Sequence, residues 1–340
     1  MTTQSLAAGQ AATLDLDLSV VFGNQAGSVR VMESTREDTW ASLLGSLLNK
    51  GDRVLGSRHG EDSARLVGIA ERIGLDVVSC DVPVGEGAPL SRFSHLLWWD
   101  SSIKAVLVTQ EETSAGVRND ISQTRRVLDE TGSAARLLVD TTPHGAVGFR
   151  QDEWAVDAVV CGASPLEAGS VTVLSTSRTT DTELMYAETA TGISDVGSLA
   201  GADVWRTELP LDLTRLQDRW LAEGVRRGLE GLGLTLCAHG PQWASDSITV
   251  CSLPDGIDRD QIAASAFETF GGGAWDSDLR GLAPDQVRLD HRRLRTERAC
   301  LSAVAAMEIA LLRRATRVEP GAGMAATSAW FAETSPTAPA

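Results

Sequence analysis

Between about residues 27 and 178 the chain alternates two hydrophobic rhythms. Short runs dense in Val, Leu and Ile are separated by longer stretches with apolar residues at helical spacing. The runs are Arg53-Val54-Leu55, Leu75-Asp76-Val77-Val78-Ser79, Ile103-Lys104-Ala105-Val106-Leu107-Val108, Ala135-Arg136-Leu137-Leu138-Val139 and Ala158-Val159-Val160-Cys161. One helical stretch follows the first run as far as Ile73, and another lies near 119–131. Apolar strands separated by amphipathic helices predict βαβ units, hence an α/β fold with a mostly parallel sheet. In such sheets, ligands sit beyond the carboxyl ends of the strands. Asp140 closes one strand and Gln110-Glu111-Glu112-Thr113-Ser114 closes another, so both are expected at that edge.

Near residue 208 the pattern changes. A long helical period from Leu211 to Leu232 leads to two strand-like runs, Leu234-Thr235-Leu236-Cys237 and Ser247-Ile248-Thr249-Val250-Cys251. Pro254-Asp255-Gly256-Ile257-Asp258 reads as a turn feeding a helix to about Phe270, Arg288-Leu289 ends a short strand, and 295–314 is a strongly apolar helix. The expected organisation is a loose tail over 1–18, a large domain over 19–207, a small C-terminal α/β domain over 208–331 and a polar tail over 332–340. No internal repeat is present.

With 340 residues and 43% hydrophobic content the chain can bury a full core. Its formal charge of −16 argues against nucleic acid and against an anionic membrane surface as partners. No run of about 18 apolar residues occurs, and no basic segment precedes an apolar one at the start, so neither a membrane span nor a signal peptide is expected. Five cysteines, Cys80, Cys161, Cys237, Cys251 and Cys300, lack CxxC spacing and predict buried reduced thiols and a cytoplasmic protein.

Four segments in order carry a family resemblance. They are Gly51-Asp52-Arg53-Val54-Leu55 through Gly74-Leu75; Ile103 through Glu112-Thr113-Ser114-Ala115-Gly116-Val117; Leu137-Leu138-Val139-Asp140-Thr141 with Asp152 through Gly162; and Glu223-Gly224 to Leu234 with Val287-Arg288 and Ala303 to Leu311. Together they resemble the class V aminotransferases of fold type I, most closely the serine– and alanine–glyoxylate enzymes. The resemblance implies a large domain with a mostly parallel sheet of about seven strands and a small C-terminal domain. It implies pyridoxal phosphate as cofactor and a dimer with active sites at the subunit boundary. It places Asp140 against the pyridine nitrogen and Thr113 and Ser114 near the cofactor's ring hydroxyl. Arg288 matches the arginine that clamps the substrate carboxylate with two parallel hydrogen bonds.

At other positions the chain departs from the family pattern. The family's Schiff-base lysine falls on Pro165, and the only lysines are Lys50 and Lys104. Without a side-chain amine there, no internal aldimine can form. The stretch matching the phosphate-binding turn is Ser34-Thr35-Arg36-Glu37-Asp38, which lacks glycines and puts two carboxylates where a phosphate should dock. Arg36 could offset one of them. Asp62, in Arg58-His59-Gly60-Glu61-Asp62-Ser63, stands where the ring-stacking aromatic is expected, and no Pro-x-Thr-Pro lies between Tyr186 and Leu211.

His144, in Pro143-His144-Gly145, is a candidate acid/base or substrate-binding group, and Trp98-Trp99 a candidate interface patch. No metal-ligand spacing is present. Three readings stay open. The first is a non-catalytic subunit that pairs as a homo- or heterodimer with a class V aminotransferase paralogue. The second is a cofactor-independent enzyme using Asp140, Arg288 and His144 on a small amino or keto acid. The third is an atypical enzyme holding pyridoxal phosphate non-covalently.

Overall fold

A computed structural model describes residues 18–141, 146, 148–162, 171–191, 211–269, 275, 281–314 and 317–336. Along the first part come α1 (Leu18–Phe22), β1 (Ser28–Glu33), α2 (Arg36–Leu47), β2 (Arg53–Arg58), α3 (Glu61–Arg72), β3 (Asp76–Asp81), α4 (Leu90–Trp99) and β4 (Ile103–Thr109). Two short strands, β5 (Glu111–Glu112) and β6 (Val117–Arg118), precede α5 (Ile121–Thr131), β7 (Arg136–Thr141), β8 (Ala158–Gly162), β9 (Val171–Thr176) and α6 (Arg178–Thr191).

Seven of these strands form one sheet in the order β1-β9-β8-β7-β4-β2-β3. Pairings β3–β2, β2–β4, β4–β7 and β7–β8 are parallel, and β9 runs antiparallel between β8 and β1. This is the expected mostly parallel α/β sheet. Its central strands are covered on both faces, which is why they read as continuous apolar runs rather than alternating ones. One face buries Val106, Val108, Leu137, Val139 and Val159 under α1, α4 and α5. The other buries Leu107, Leu138 and Val160 under α2 and α3. Helix ends follow local chemistry. Asp120 caps α5 by accepting from the Gln123 amide, and Gly132 ends it at φ 65°, in the left-handed region that favours glycine.

The second part holds α7 (Leu211–Gly231), β10 (Thr235–Leu236), β11 (Ile248–Ser252), α8 (Arg259–Thr269), β12 (Gln286–Asp290), α9 (Glu297–Leu312) and α10 (Ala322–Glu333). Its antiparallel sheet β10-β11-β12 has a separate core, including Leu221, Val225, Leu229, Cys251, Leu289, Val304, Met307 and Leu311. The expected junction near 207–208 lies outside the described residues. The two parts meet where β5 and β6 reach the second sheet. Val117 bridges to Ala244, Arg118 pairs with Asp246 at 2.6 Å, and the buried Glu111 accepts from the Ser245 hydroxyl at 2.9 Å and from that of Ser247. All five cysteines are free and buried, and burial pushes the Cys300 thiol up to about 12. Among the described residues no helix is long and apolar enough to cross a membrane.

Candidate functional site

Asp140 sits at the carboxyl end of β7, between β4 and β8, and is 1% exposed. A carboxylate so buried needs partners, because desolvating an unpaired charge costs several kcal/mol. Helix α2 supplies them. Trp40 donates its indole N–H to Asp140 Oδ1 at 2.7 Å, Arg36 donates Nε–H to the same oxygen at 2.6 Å, and Arg36 Nη2 pairs with Oδ2. Arg36 and Trp40 are four residues apart, so they share one helix face and reach one acceptor. The remaining guanidinium nitrogen, Nη1, donates to Asp62 Oδ1 at 3.3 Å. The arginine stem lies on Gly162 at the end of β8, where an added Cβ would stand 3.0 Å from Arg36 Cδ.

The network continues into α3. Asp62 Oδ2 accepts from the Thr113 amide at 2.9 Å and the Thr113 hydroxyl at 2.6 Å. Burial opposes ionisation of Asp62, but Arg36 and the two Thr113 bonds outweigh it and hold the carboxyl below its usual range. The next carboxylate, Glu112, is fully buried. Its Oε1 accepts from the Asp62 amide (3.0 Å) and the Ser114 hydroxyl (2.6 Å), while Oε2 accepts from the Ser63 amide and hydroxyl (both 2.9 Å). Glu112 therefore caps the N-terminus of α3. Gly60, the cap residue by position, has no side chain to offer. Its φ of 174° is ordinary extended backbone. Glycine is required there because a Cβ would overlap the Glu112 side chain. Burial, and then the Asp62 charge, push the Glu112 carboxyl up.

His59 lies beneath this turn, 1% exposed. Its Nδ1 is 3.1 Å from the Ser57 hydroxyl, and its Nε2 accepts from the Asn119 side-chain amide at 3.0 Å. Burial lowers its pKa to about 4, against a smaller opposing pull from Asp62.

The structure links three of the residues singled out in the sequence through two others. The chain of contacts runs Asp140–Arg36–Asp62–Thr113, and Arg288 on β12 donates Nη1–H to the Thr113 carbonyl at 3.4 Å. Ser114 is engaged with Glu112 and also accepts from the Glu61 amide at 2.9 Å. Pro165 and His144 lie outside the described residues. Lys50 follows α2, with its stem over Gly74, and Lys104 is the second residue of β4, at the sheet edge opposite Asp140. Trp98 and Trp99 are 67% and 74% exposed at the end of α4.

Sequence reasoning treated Arg36 only as an offset for nearby carboxylates and missed Trp40 and His59. The four-residue spacing of Arg36 and Trp40 was a usable signal for a shared partner. The identity of that partner was not.

Pyridoxal phosphate is the group the fold implies, and the described residues around Asp140 do not fit it. A pyridinium nitrogen would have to displace the Arg36 fork from Asp140. The start of α2 satisfies itself: the Thr35 hydroxyl accepts from the Asp38 amide at 3.0 Å and donates to the Asp38 carboxylate at 2.7 Å. Neither lysine stands near Asp140. Among the described residues no group of three or more His, Cys, Asp or Glu could hold a metal ion.

Known proteins give this geometry a context. No protein-family model matches the chain. Individual relatives do. The chain is 31% identical to L-aspartate–glyoxylate aminotransferase of Paracoccus denitrificans, across 94% of this chain and 87% of the relative. It is 30% identical to serine–glyoxylate aminotransferase of Methylorubrum extorquens, across 93% and 86%. Among solved structures, ureidoglycine–glyoxylate aminotransferase of Bacillus subtilis superposes with a TM-score of 0.73 at 19% identity, covering 93% of this chain and 87% of that one.

Proposed function

This chain belongs to the class V aminotransferase family of fold type I, and from that premise we propose that it is a non-catalytic member acting as a partner subunit of an aminotransferase. The observation that carries the reading is the Arg36 guanidinium, locked between Asp140 and Asp62 where the family's cofactor ring would be held. A proline at the position of the Schiff-base lysine supports it from the sequence. The large sheet is packed on both faces, the second part has its own core, and the match extends over nearly the whole chain. Retention of the scaffold with alteration of the site is what a role in association would preserve. The cofactor-independent alternative needs Asp140 free for a ligand, and Asp140 is engaged by Arg36 and Trp40.

The test is spectroscopic. The purified protein mixed with pyridoxal phosphate is expected to show no aldimine band, no lysine adduct after borohydride reduction, and no transamination. Sizing is expected to give a dimer, and co-expression with a catalytic class V paralogue a mixed dimer. Turnover by the isolated chain with a borohydride-trapped lysine would sink the reading. A monomer that captures no paralogue would remove the partner role.

A further inference from the structure

The position of Arg36 is hard to account for by its own helix. It is the first residue of α2, where the helix dipole favours an anion, and Glu37 and Asp38 beside it follow that rule. Arg36 nevertheless turns inward, with its side chain only 23% exposed, to meet carboxylates 104 and 26 residues away in sequence. Those carboxylates are among the least exposed charges of the described residues: Asp140 at 1% and Asp62 at 5%. All three guanidinium nitrogens are used, Nε and Nη2 on Asp140 and Nη1 on Asp62. The two carboxylates therefore engage one planar cation through two hydrogen bonds, from Nε and Nη1, and an ion pair at Nη2. Trp40 closes one side with its indole N–H on Asp140, and the flat backbone of Gly162 supports the stem.

We propose that the buried Asp140–Asp62 carboxylate pair is a planar-cation site whose ligand is built into the chain, the Arg36 side chain, which keeps the two carboxylates together with no external group. This inference rests on the reading of the protein as a cofactor-free family member. It assigns Arg36 as a positioning residue: its charge holds the ends of β7 and α3 together, and its departure opens a site for small amidinium- or guanidinium-type cations.

Thermal unfolding of wild type and Arg36→Ala with added methylguanidinium or tetramethylammonium chloride tests this. Arg36→Ala is expected to unfold at lower temperature, and methylguanidinium to raise its midpoint. The variant should bind methylguanidinium at least about tenfold more tightly than wild type. Tetramethylammonium, with the same charge and no N–H, should do nothing to either protein. Arg36→Ala/Asp140→Asn, which removes the orphaned charge, should recover part of the midpoint and lose the response. If Arg36→Ala alone does not fold, the double variant is still expected to, and its failure would overturn the inference. So would an Arg36→Ala protein as stable as wild type, a wild type that responds like the variant, or equal responses to both cations. An aldimine band in wild type would defeat the cofactor-free reading alone, whereas a band-free wild type with an unresponsive variant would defeat only this inference.

Discussion

Helices α2 and α3 begin at the same edge of the main sheet and solve the same problem in opposite ways. Each must satisfy the amides of its first turn. At α2 the solution is local: the Thr35 hydroxyl accepts from the amide of Asp38, three residues on, and donates to the Asp38 carboxylate. At α3 the local residue is Gly60, and the acceptor comes instead from Glu112, 50 residues further along the chain from Asp62. The difference spreads into the site. Because α2 caps itself, Arg36 and Trp40 in its first two turns are released to hold Asp140. Because α3 is capped from afar, its start is welded to the β5 strand, and Asp62 is tied to Thr113. One helix start thus offers a cation across the cleft, and the other presents the carboxylate that receives it.

The largest expected effect separates the two partners of the ion pair. Arg36→Ala leaves Asp140 buried and uncompensated and should cost about 3–5 kcal/mol. Asp140→Ala leaves an arginine that is already partly exposed and free to turn toward water, so it should cost clearly less. Urea unfolding midpoints of the two variants measure the gap, and equal losses would break the account of a built-in cation.

The next effect belongs to the α3 side and is read by pH. His59 has a folded pKa of about 4 against an ordinary 6.5, so as pH falls the unfolded chain takes up the proton first. Stability should therefore drop between pH 6.5 and 4, by roughly 3 kcal/mol in all. Asp62, held below its usual range, stabilises above the ordinary carboxylate pKa and loses that contribution only at lower pH. Glu112, pushed up, works with the opposite sign, its burial penalty easing as pH falls. Denaturation at several pH values should show the drop, and His59→Gln should flatten it. An unchanged slope in the variant would assign the titration elsewhere.

The smallest effect compares the caps directly. Thr35→Ala removes a local cap and should cost about 1 kcal/mol. Glu112→Gln sets an amide NH₂ against N–H donors in a buried place and should cost more, about 1–3 kcal/mol. If calorimetry ranks them the other way, the remote cap is not the stronger tie.

Much of the fold was legible because its causes are local or periodic. Val106, Leu138 and Val159 lie in runs whose composition announces strands buried on both faces, and Asp120 and Gly132 mark the ends of α5 within a few residues of where they act. Strand β1 and the antiparallel course of β9 were not legible. A strand's direction depends on its neighbours, and Ser28–Glu33 and Val171–Thr176, far apart in sequence, pair side by side at one edge of the large sheet.

The same division runs through the site. The sequence by itself determined the βα order, the family, the carboxylate at the end of β7, and the presence of only two lysines, because composition and strand-end position need no partner to be read. Only the tertiary structure decided that Arg36 turns inward from the start of α2 to hold Asp140 and Asp62, and that Glu112 closes α3. Ion pairs and hydrogen bonds depend on separation in space. Residues 104 and 50 positions apart come within bonding distance only when parallel strands bring their carboxyl ends to one edge.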